Sequence, residues 1–95
     1  MAEVRFSLAA ILALEAEDDY LRTLSPRAAD RLQADLARAV AVLSDHPLAG
    51  QAVGRRGLRR LVTSRLKYRI GYAVSEGNVL VLDVLHPRQD ASTPR

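Results

Sequence analysis

Seven cationic side chains and no acidic one lie between residues 46 and 75 of this 95-residue chain. A block of like charge can bind a polyanion or an acidic protein segment when a rigid scaffold holds the cations on one surface. Arginine suits this task because its planar guanidinium can hold a phosphate or a carboxylate through two parallel hydrogen bonds. The block consists of Arg55, Arg56, Arg59, Arg60, Arg65, Lys67 and Arg69.

A second polar cluster, His86-Pro87-Arg88-Gln89-Asp90, follows the last apolar run of the chain. Histidine is the side chain best suited to exchange a proton near neutral pH. His86 could therefore act as an acid or base, contact a partner, or simply cap the end of a strand. The other histidine, His46, precedes Pro47 and is predicted to end a helix.

The charge is unevenly distributed along the chain. Residues 1–45 hold eight acids and five bases, a net −3, whereas residues 46–95 hold three acids and nine bases, a net +6. This asymmetry predicts a partner for the basic half. The chain has no cysteine and only two histidines, which are far apart in sequence, so we predict no disulfide, no metal site and no cofactor.

The length predicts one domain, over residues 1–90, with a loose tail over residues 91–95. No basic and apolar leader opens the sequence, and no apolar run approaches the roughly 20 residues of a membrane span. We therefore expect a cytoplasmic protein that has no membrane partner.

The N-terminal half predicts a short strand over residues 3–6 and then two helices. Ser7 can cap a helix over residues 8–22, and Ser25-Pro26 begins a second helix that ends before Pro47. Because only a few residues join the helices, they should form an antiparallel hairpin. In the second helix, apolar residues recur at spacings of three and four. Its polar positions are predicted to face solvent: Arg27, Asp30, Arg31, Asp35 and Arg38.

The C-terminal half predicts a loop over residues 47–57 and then a meander of three strands, 58–62, 67–74 and 79–85, with a hairpin turn at 76–78. Alternation places Tyr68 and Tyr72 in the core and Lys67 and Arg69 on the opposite face. The nearly unbroken apolar run at 79–85 is typical of a strand covered on both faces. Asp83 interrupts that run, so we expect it to pair with an arginine. The prediction is an α+β fold of order β-α-α-β-β-β, with a helical hairpin packed on an antiparallel sheet.

This ordered set of segments resembles the RelE/ParE superfamily of bacterial toxins. The resemblance is carried by Leu43-Ser44-Asp45-His46-Pro47, Gly57-Leu58-Arg59-Arg60-Leu61, Tyr68-Arg69-Ile70-Gly71-Tyr72-Ala73-Val74 and the segment from Val81 to Asp90. It implies a type II toxin–antitoxin system, in which the product of a neighbouring gene binds the toxin in a heteromeric complex and silences it. RelE-like members enter the ribosome and cut mRNA, whereas ParE-like members poison DNA gyrase.

A RelE-like activity would make the chain a metal-independent endoribonuclease. Such an enzyme needs a base, an acid and cations that stabilise the phosphate in the transition state. The resemblance implies that Arg60, Arg69, His86 and Arg88 would fill these roles. Arginines are poor proton shuttles because they stay protonated. The proton-transfer groups of the RelE pattern are missing, since Val62 replaces a lysine and no tyrosine follows Tyr72.

The ending His86-x-Arg88-x-Asp90 is common among ParE-like chains. We therefore favour a ParE-like toxin that inhibits DNA gyrase by binding, and not an enzyme. The alternatives that stay open are a RelE-like enzyme acting on the ribosome and mRNA, and a non-toxic nucleic-acid-binding domain. For the favoured function, the predicted target-binding residues are Arg59, Arg60, Arg65, Lys67, Arg69 and Arg88.

Overall fold

Two helices cover one side of a five-stranded sheet in the computed structural model, which describes residues 1–54 and 57–87. The predicted α+β class and the helical hairpin are confirmed. The predicted tail, residues 91–95, lies outside the described residues. The elements are β1 (Val4–Phe6), α1 (Leu8–Leu24), α2 (Pro26–Asp45), β2 (Gln51–Ala52), β3 (Leu58–Val62), β4 (Arg69–Ser75) and β5 (Asn78–Leu85).

The sheet has the strand order β1-β5-β4-β3-β2 and is mixed rather than purely antiparallel. Strands β3 to β5 pair antiparallel, as predicted, and β2 pairs antiparallel to β3, but β1 pairs parallel to β5 with Val4 opposite Val79. The first strand enters the sheet beside the last because the helical hairpin turns the chain back between them. The two-residue strand β2 lies inside the predicted loop and extends the sheet beyond β3.

Both helices begin at the predicted residues; Ser7 caps α1 through its hydroxyl, whereas the Ser25 hydroxyl makes no capping hydrogen bond. The Ser7 hydroxyl accepts a hydrogen bond from the Ala10 amide at 3.1 Å and donates to the Leu82 carbonyl at 3.1 Å, so it starts α1 and ties it to β5. Ser25 separates the helices and Pro26 opens α2. His46 ends α2, and its amide donates to the Val42 carbonyl at 2.7 Å. Within the described residues, neither helix is long and apolar enough to cross a membrane.

The core lies between α2, α1 and one face of the sheet. Tyr68 and Tyr72 are buried in it, as predicted. The prediction that Asp35 faces solvent is wrong, because its exposed fraction is only 1%. Asp35 lies three residues after Leu32 and four before Ala39, and therefore on the buried stripe of α2. The buried apolar members are Ala10, Ala29, Leu32, Leu36, Ala39, Leu43, Tyr68, Ile70, Tyr72, Val79, Val81 and Val84.

Strand β5 is covered on one face, not on both as its apolar run suggested. Val79, Val81 and Val84 face the helices and are buried, whereas Leu80 on the other face is 40% exposed. The physical reason is that the two helices form a hairpin and lie on the same side of the sheet. The opposite side, here called the open face, is left bare by the described residues.

Candidate target-binding face

The open face brings two of the predicted arginines together. In the register of the sheet, Arg60 lies opposite Gly71, and Gly71 lies opposite Asp83. Arg69 lies opposite Val62 and is therefore a diagonal neighbour of Arg60. Residues opposite one another in antiparallel strands point to the same face. Arg60 and Arg69 thus share one surface with Asp83, around a shallow groove of about 180 Å³.

Arg69 is held in place but not fully satisfied. Its Nη2 donates to the His86 carbonyl at 3.3 Å, which fixes the guanidinium near the end of β5. Its Nε is buried and has no hydrogen-bond partner among the described residues. A buried donor without an acceptor costs about 1–3 kcal/mol, so such groups are rare in folded proteins.

Gly71 forms the floor between the two charges. A Cβ at this position would lie 2.6 Å from Asp83 Oδ1, which shows that the Asp83 side chain folds over the glycine. The expected ion pair between Asp83 and an arginine is not formed within the described part of the chain. Asp83 does not require one, because it is exposed on the open face and its carboxylate can stay hydrated.

Arg59 points to the other side of the sheet, away from Arg60. Its Nη1 donates to the carbonyls of Gly50 at 2.7 Å and Leu48 at 3.3 Å. The Tyr72 hydroxyl accepts a hydrogen bond from the Gly50 amide at 2.8 Å, so the loop after α2 is pinned from two strands. A Cβ on Gly50 would lie 2.6 Å from the Arg60 carbonyl oxygen, which leaves room for glycine alone. Arg59 is thus committed to the fold.

Arg65 and Lys67 lie in the turn that joins β3 to β4. Both are exposed, and Lys67 has a φ of 63°, the left-handed region that a lysine seldom adopts. Asp35 holds this turn from the helical layer by accepting hydrogen bonds from the amides of Arg65 at 3.2 Å and Leu66 at 2.8 Å. The two cations therefore sit at one end of the sheet, on a turn anchored to α2.

The buried carboxylate of Asp35 is ionised despite its surroundings. Burial by itself raises the pKa of Asp35, but hydrogen bonds from Thr63, Leu66, Arg65 and Arg38 outweigh it and hold the pKa below its usual range. Arg38 adds an ion pair, with Nη2 3.3 Å from Asp35 Oδ1. Sequence patterning missed this residue because a polar side chain in an amphipathic helix normally faces water.

A separate group of proton-carrying side chains lies on the side of the sheet that the helices cover. The Tyr68 hydroxyl donates to a Glu17 carboxylate oxygen, and the rings of Tyr68 and His86 meet edge to face with centroids 5.5 Å apart. His86 therefore has two potential proton-transfer neighbours, although the sequence pattern predicted none. Glu17 was missed because it lies 51 residues from Tyr68 and no local pattern joins them.

Three basic residues of the sequence prediction, Arg55, Arg56 and Arg88, lie outside the described residues. Of the six predicted target-binding residues, Arg60 and Arg69 share the open face. Arg65 and Lys67 flank one end of the sheet, and Arg59 turns away from the open face.

Known proteins resemble this chain along most of its length. The family model described as the ParE toxin of the type II toxin–antitoxin system parDE matches residues 4–91. A candidate toxin of Sinorhizobium fredii, Y4kP, is 31% identical over 86 residues, which cover 90% of this chain and 88% of that protein. A structure titled as the chromosomal ParDE system from P. aeruginosa superposes with a TM-score of 0.77 at 21% identity, covering 90% of this chain and 96% of the other. The RelBE2 toxin–antitoxin complex of Mycobacterium tuberculosis matches with a TM-score of 0.49 at 23% identity, covering 90% of each chain. The family match and the identity to Y4kP show that the chain belongs to the ParE toxin family of type II toxin–antitoxin systems.

Proposed function

We propose that this chain is a cytoplasmic toxin that inhibits DNA gyrase by binding it through the open face, and that an antitoxin encoded beside it silences it. One observation carries the proposal. The side chains of Arg60 and Arg69 lie on the open face, whereas the Tyr68 hydroxyl, the Glu17 carboxylate and the His86 ring form a group on the other side of the sheet.

Separation of these two groups favours binding over cutting. Cleavage of a phosphodiester requires an acid or base within hydrogen-bond reach of the same phosphate that the cations hold. Tyr68 is buried under the helices, and its hydroxyl is engaged by Glu17. Asp83 is the one carboxylic acid among the described residues that line the groove on the open face, and loss of a positioned acid or base typically lowers a rate by about 10²–10⁴-fold.

The open face has the composition of a protein-binding surface. Its arginines are flanked by Leu58, Leu82 and Leu85, which line the same groove. Protein interfaces combine apolar contact with arginine anchors and lose much of their affinity when an anchor is removed. Supercoiling enzymes present both protein and bound DNA, so an arginine-rich apolar face can engage either component.

The relatives support an antitoxin partner, because the matching family and the P. aeruginosa structure are both described as parts of a ParDE system. Co-expression with the product of the neighbouring gene should give a stable complex. A lone chain that is harmless, monodisperse and indifferent to that product would contradict this part of the proposal.

The test of the target is a supercoiling reaction that contains only gyrase, ATP, relaxed plasmid and purified toxin. We expect inhibition by the natural chain and at least about tenfold weaker inhibition by Arg60→Ala, while Arg27→Ala on the exposed side of α2 retains it. His86→Ala should also retain inhibition.

A RelE-like ribonuclease remains the second candidate, because the Tyr68 and Glu17 neighbours of His86 could exchange protons. It would replace the favoured function if the toxin cut mRNA in a programmed ribosome assay and His86→Ala abolished the cuts.

A further inference from the structure

A second group of arginines lies on the helix side of the sheet, where α2 meets the turn that joins β3 to β4. Arg31 and Arg38 of α2 and Arg65 of the turn line a cleft of about 260 Å³, together with Ala34 and Leu66. Arg31, Ala34 and Arg38 are three and four residues apart, so they share one stripe of the helix. The short side chain of Ala34 leaves space between the two arginines. No acidic residue is among the described residues that line the cleft.

Asp35 organises two of these three arginines. Its Oδ1 forms an ion pair with Arg38 Nη2 at 3.3 Å and accepts a hydrogen bond from the Arg65 amide at 3.2 Å. The exposed fraction of Asp35 is only 1%, so its carboxylate does not face an anion that enters the cleft. Arg38 and the backbone of Arg65 are therefore held together before any ligand binds. Preorganisation of this kind lowers the entropic cost of binding.

Two of the three guanidinium groups are not neutralised within the described part of the chain. Arg31 and Arg65 are exposed, and their side chains form no ion pair with any described residue. By contrast, Arg5 and Arg22, which are also exposed, each form an ion pair with a carboxylate. Like charges on one surface repel one another, and a bound anion removes that repulsion.

The backbone of the turn is consistent with a binding role. Lys67 follows the cleft residue Leu66 and has a φ of 63°, a conformation that glycine adopts with less strain. Strained residues cluster at sites that bind ligands, where the surrounding structure holds them in place. Lys67 is exposed and adds a further positive charge to the same turn.

The residues that line the cleft indicate the class of ligand. Guanidinium groups hold phosphates through pairs of hydrogen bonds. A protein partner would need apolar contact at the centre of the interface, but Ala34 and the half-buried Leu66 are the only apolar residues among the described ones that line the cleft. None of those residues is aromatic, so the cleft offers no ring on which an unpaired base of a single strand can stack.

We propose that this arginine cleft, formed by Arg31, Arg38 and Arg65, binds the phosphate backbone of duplex DNA. Binding is independent of base sequence, because contacts with phosphates do not read the bases. The arginine cleft lies on the helix side of the sheet, whereas Arg60 and Arg69 lie on the open face. One molecule can therefore hold a protein through the open face and DNA through the arginine cleft. This activity goes beyond gyrase inhibition and does not depend on it.

The test is a titration of a short fluorescent DNA duplex with the purified full-length chain, followed by anisotropy at several salt concentrations. Each phosphate contact contributes about −0.9 to the slope of log affinity against log salt, so the three arginines together contribute about −2.7. The double variant Arg31→Gln/Arg65→Gln should make the slope shallower by about 1.8 and weaken binding at least about tenfold at about 50 mM salt.

The matched control is Arg5→Gln/Arg22→Gln, which removes the same two charges from arginines that already pair with carboxylates. It should bind DNA as the natural chain does. Unfolding of Arg31→Gln/Arg65→Gln in urea should match that of the natural chain, because both substituted side chains are exposed and unpaired among the described residues. If the double variant is less stable, Arg31→Gln alone decides the test, with a slope shallower by about 0.9.

Four results would contradict the proposal. The chain does not bind the duplex, or Arg31→Gln/Arg65→Gln folds normally and binds it as tightly as the natural chain. Alternatively, Arg60→Gln abolishes the binding, which places the DNA on the open face. Finally, polyglutamate binds as tightly as the duplex, which makes the ligand an acidic protein segment. The reaction contains neither gyrase nor an antitoxin, so any of these failures leaves the proposed function standing.

Discussion

The buried polar groups on the two sides of the sheet differ in whether they have hydrogen-bond partners. On the helix side, Asp35 is buried and accepts hydrogen bonds from two backbone amides and from the side chains of Thr63 and Arg38. On the open face, the Arg69 Nε is buried and has no acceptor among the described residues. Polar groups whose hydrogen bonds are all made within the chain help to specify the fold. A buried polar group without a hydrogen-bond partner is not explained by the fold and needs another explanation.

A similar contrast appears within α1. The carboxylate of Asp18 is paired by Arg22, with Nη2 and Oδ1 3.0 Å apart, and by Gln33, whereas its neighbour Asp19 faces solvent without a described partner. The comparison teaches that charge type alone does not separate structural from functional residues in this chain. What separates them is whether the hydrogen bonds of the side chain are satisfied within the fold, and the first three predictions below test that distinction.

The largest effect should come from Asp35. Replacement by Ala leaves the amides of Arg65 and Leu66 without acceptors and should lower the free energy of unfolding by about 3 kcal/mol. Urea denaturation followed by circular dichroism measures this loss. Asp45→Ala, at an exposed position of the same helix, should change stability by no more than about 0.5 kcal/mol. If Asp35→Ala and Asp45→Ala lowered the free energy of unfolding equally, the distinction between paired and unpaired carboxylates would be wrong.

The same residue should make the fold sensitive to acid. The pKa of Asp35 is lower in the folded chain than its ordinary value of 3.8, so its contribution is complete above that value. It is lost as the pH falls through the lower folded value, because the unfolded chain then binds a proton more readily. The free energy of unfolding should therefore decline below about pH 4 in the natural chain, and decline less steeply in Asp35→Asn. Parallel pH profiles would contradict this assignment.

Arg69→Lys should separate charge from geometry on the open face. Lysine keeps the positive charge but lacks the Nε–H and the planar fork that pairs with carboxylates. We expect gyrase inhibition to weaken about tenfold while the free energy of unfolding changes by less than about 1 kcal/mol. If gyrase inhibition and the free energy of unfolding both fell in Arg69→Lys, Arg69 would have a structural role like that of Arg59.

The smallest effect should come from the hairpin turn between β4 and β5, which belongs to neither surface. Glu76 and Gly77 both have positive φ, 53° and 79°, as a type I′ turn requires. Asn adopts this conformation more readily than Glu, so Glu76→Asn should stabilise the chain by about 0.5 kcal/mol. Thermal unfolding measures the gain, and both gyrase inhibition and antitoxin binding should be unchanged. A loss of either activity would mean that the turn belongs to a surface assigned elsewhere.

Most elements could be predicted from sequence because their signals are local. Capping by Ser7, Pro26 at the start of α2 and alternation along β4 each act over a few residues, and each prediction was confirmed. The prediction that β5 is buried on both faces was wrong. An apolar run shows that the residues of a strand are hydrophobic, but it does not show how many layers of helices cover the sheet. Two helices joined as a hairpin can cover a single face, which the element order already indicated.

The candidate site was harder to predict because its grouping depends on strand register. The sequence identified Arg60 and Arg69 as basic residues of the meander, but their position as diagonal neighbours depends on the pairing of β3 with β4. Alternation along β3 places Arg59 and Arg60 on opposite faces, but the hydrogen bond that commits Arg59 to the fold depends on the position of the loop at Gly50. The inward position of Asp35 did have a signal, since it lies between Leu32 and Ala39 on the buried stripe.

The parallel pairing of β1 with β5 has a consequence for how the toxin is made. The pair joins Val4 to Val79, so the first strand of the chain finds its neighbour only after nearly all the chain has been synthesised. Contacts this distant in sequence slow folding, because a long loop must close before they form. Since β5 lies between β1 and β4 in the sheet, the native core cannot be completed before the last strand has been synthesised.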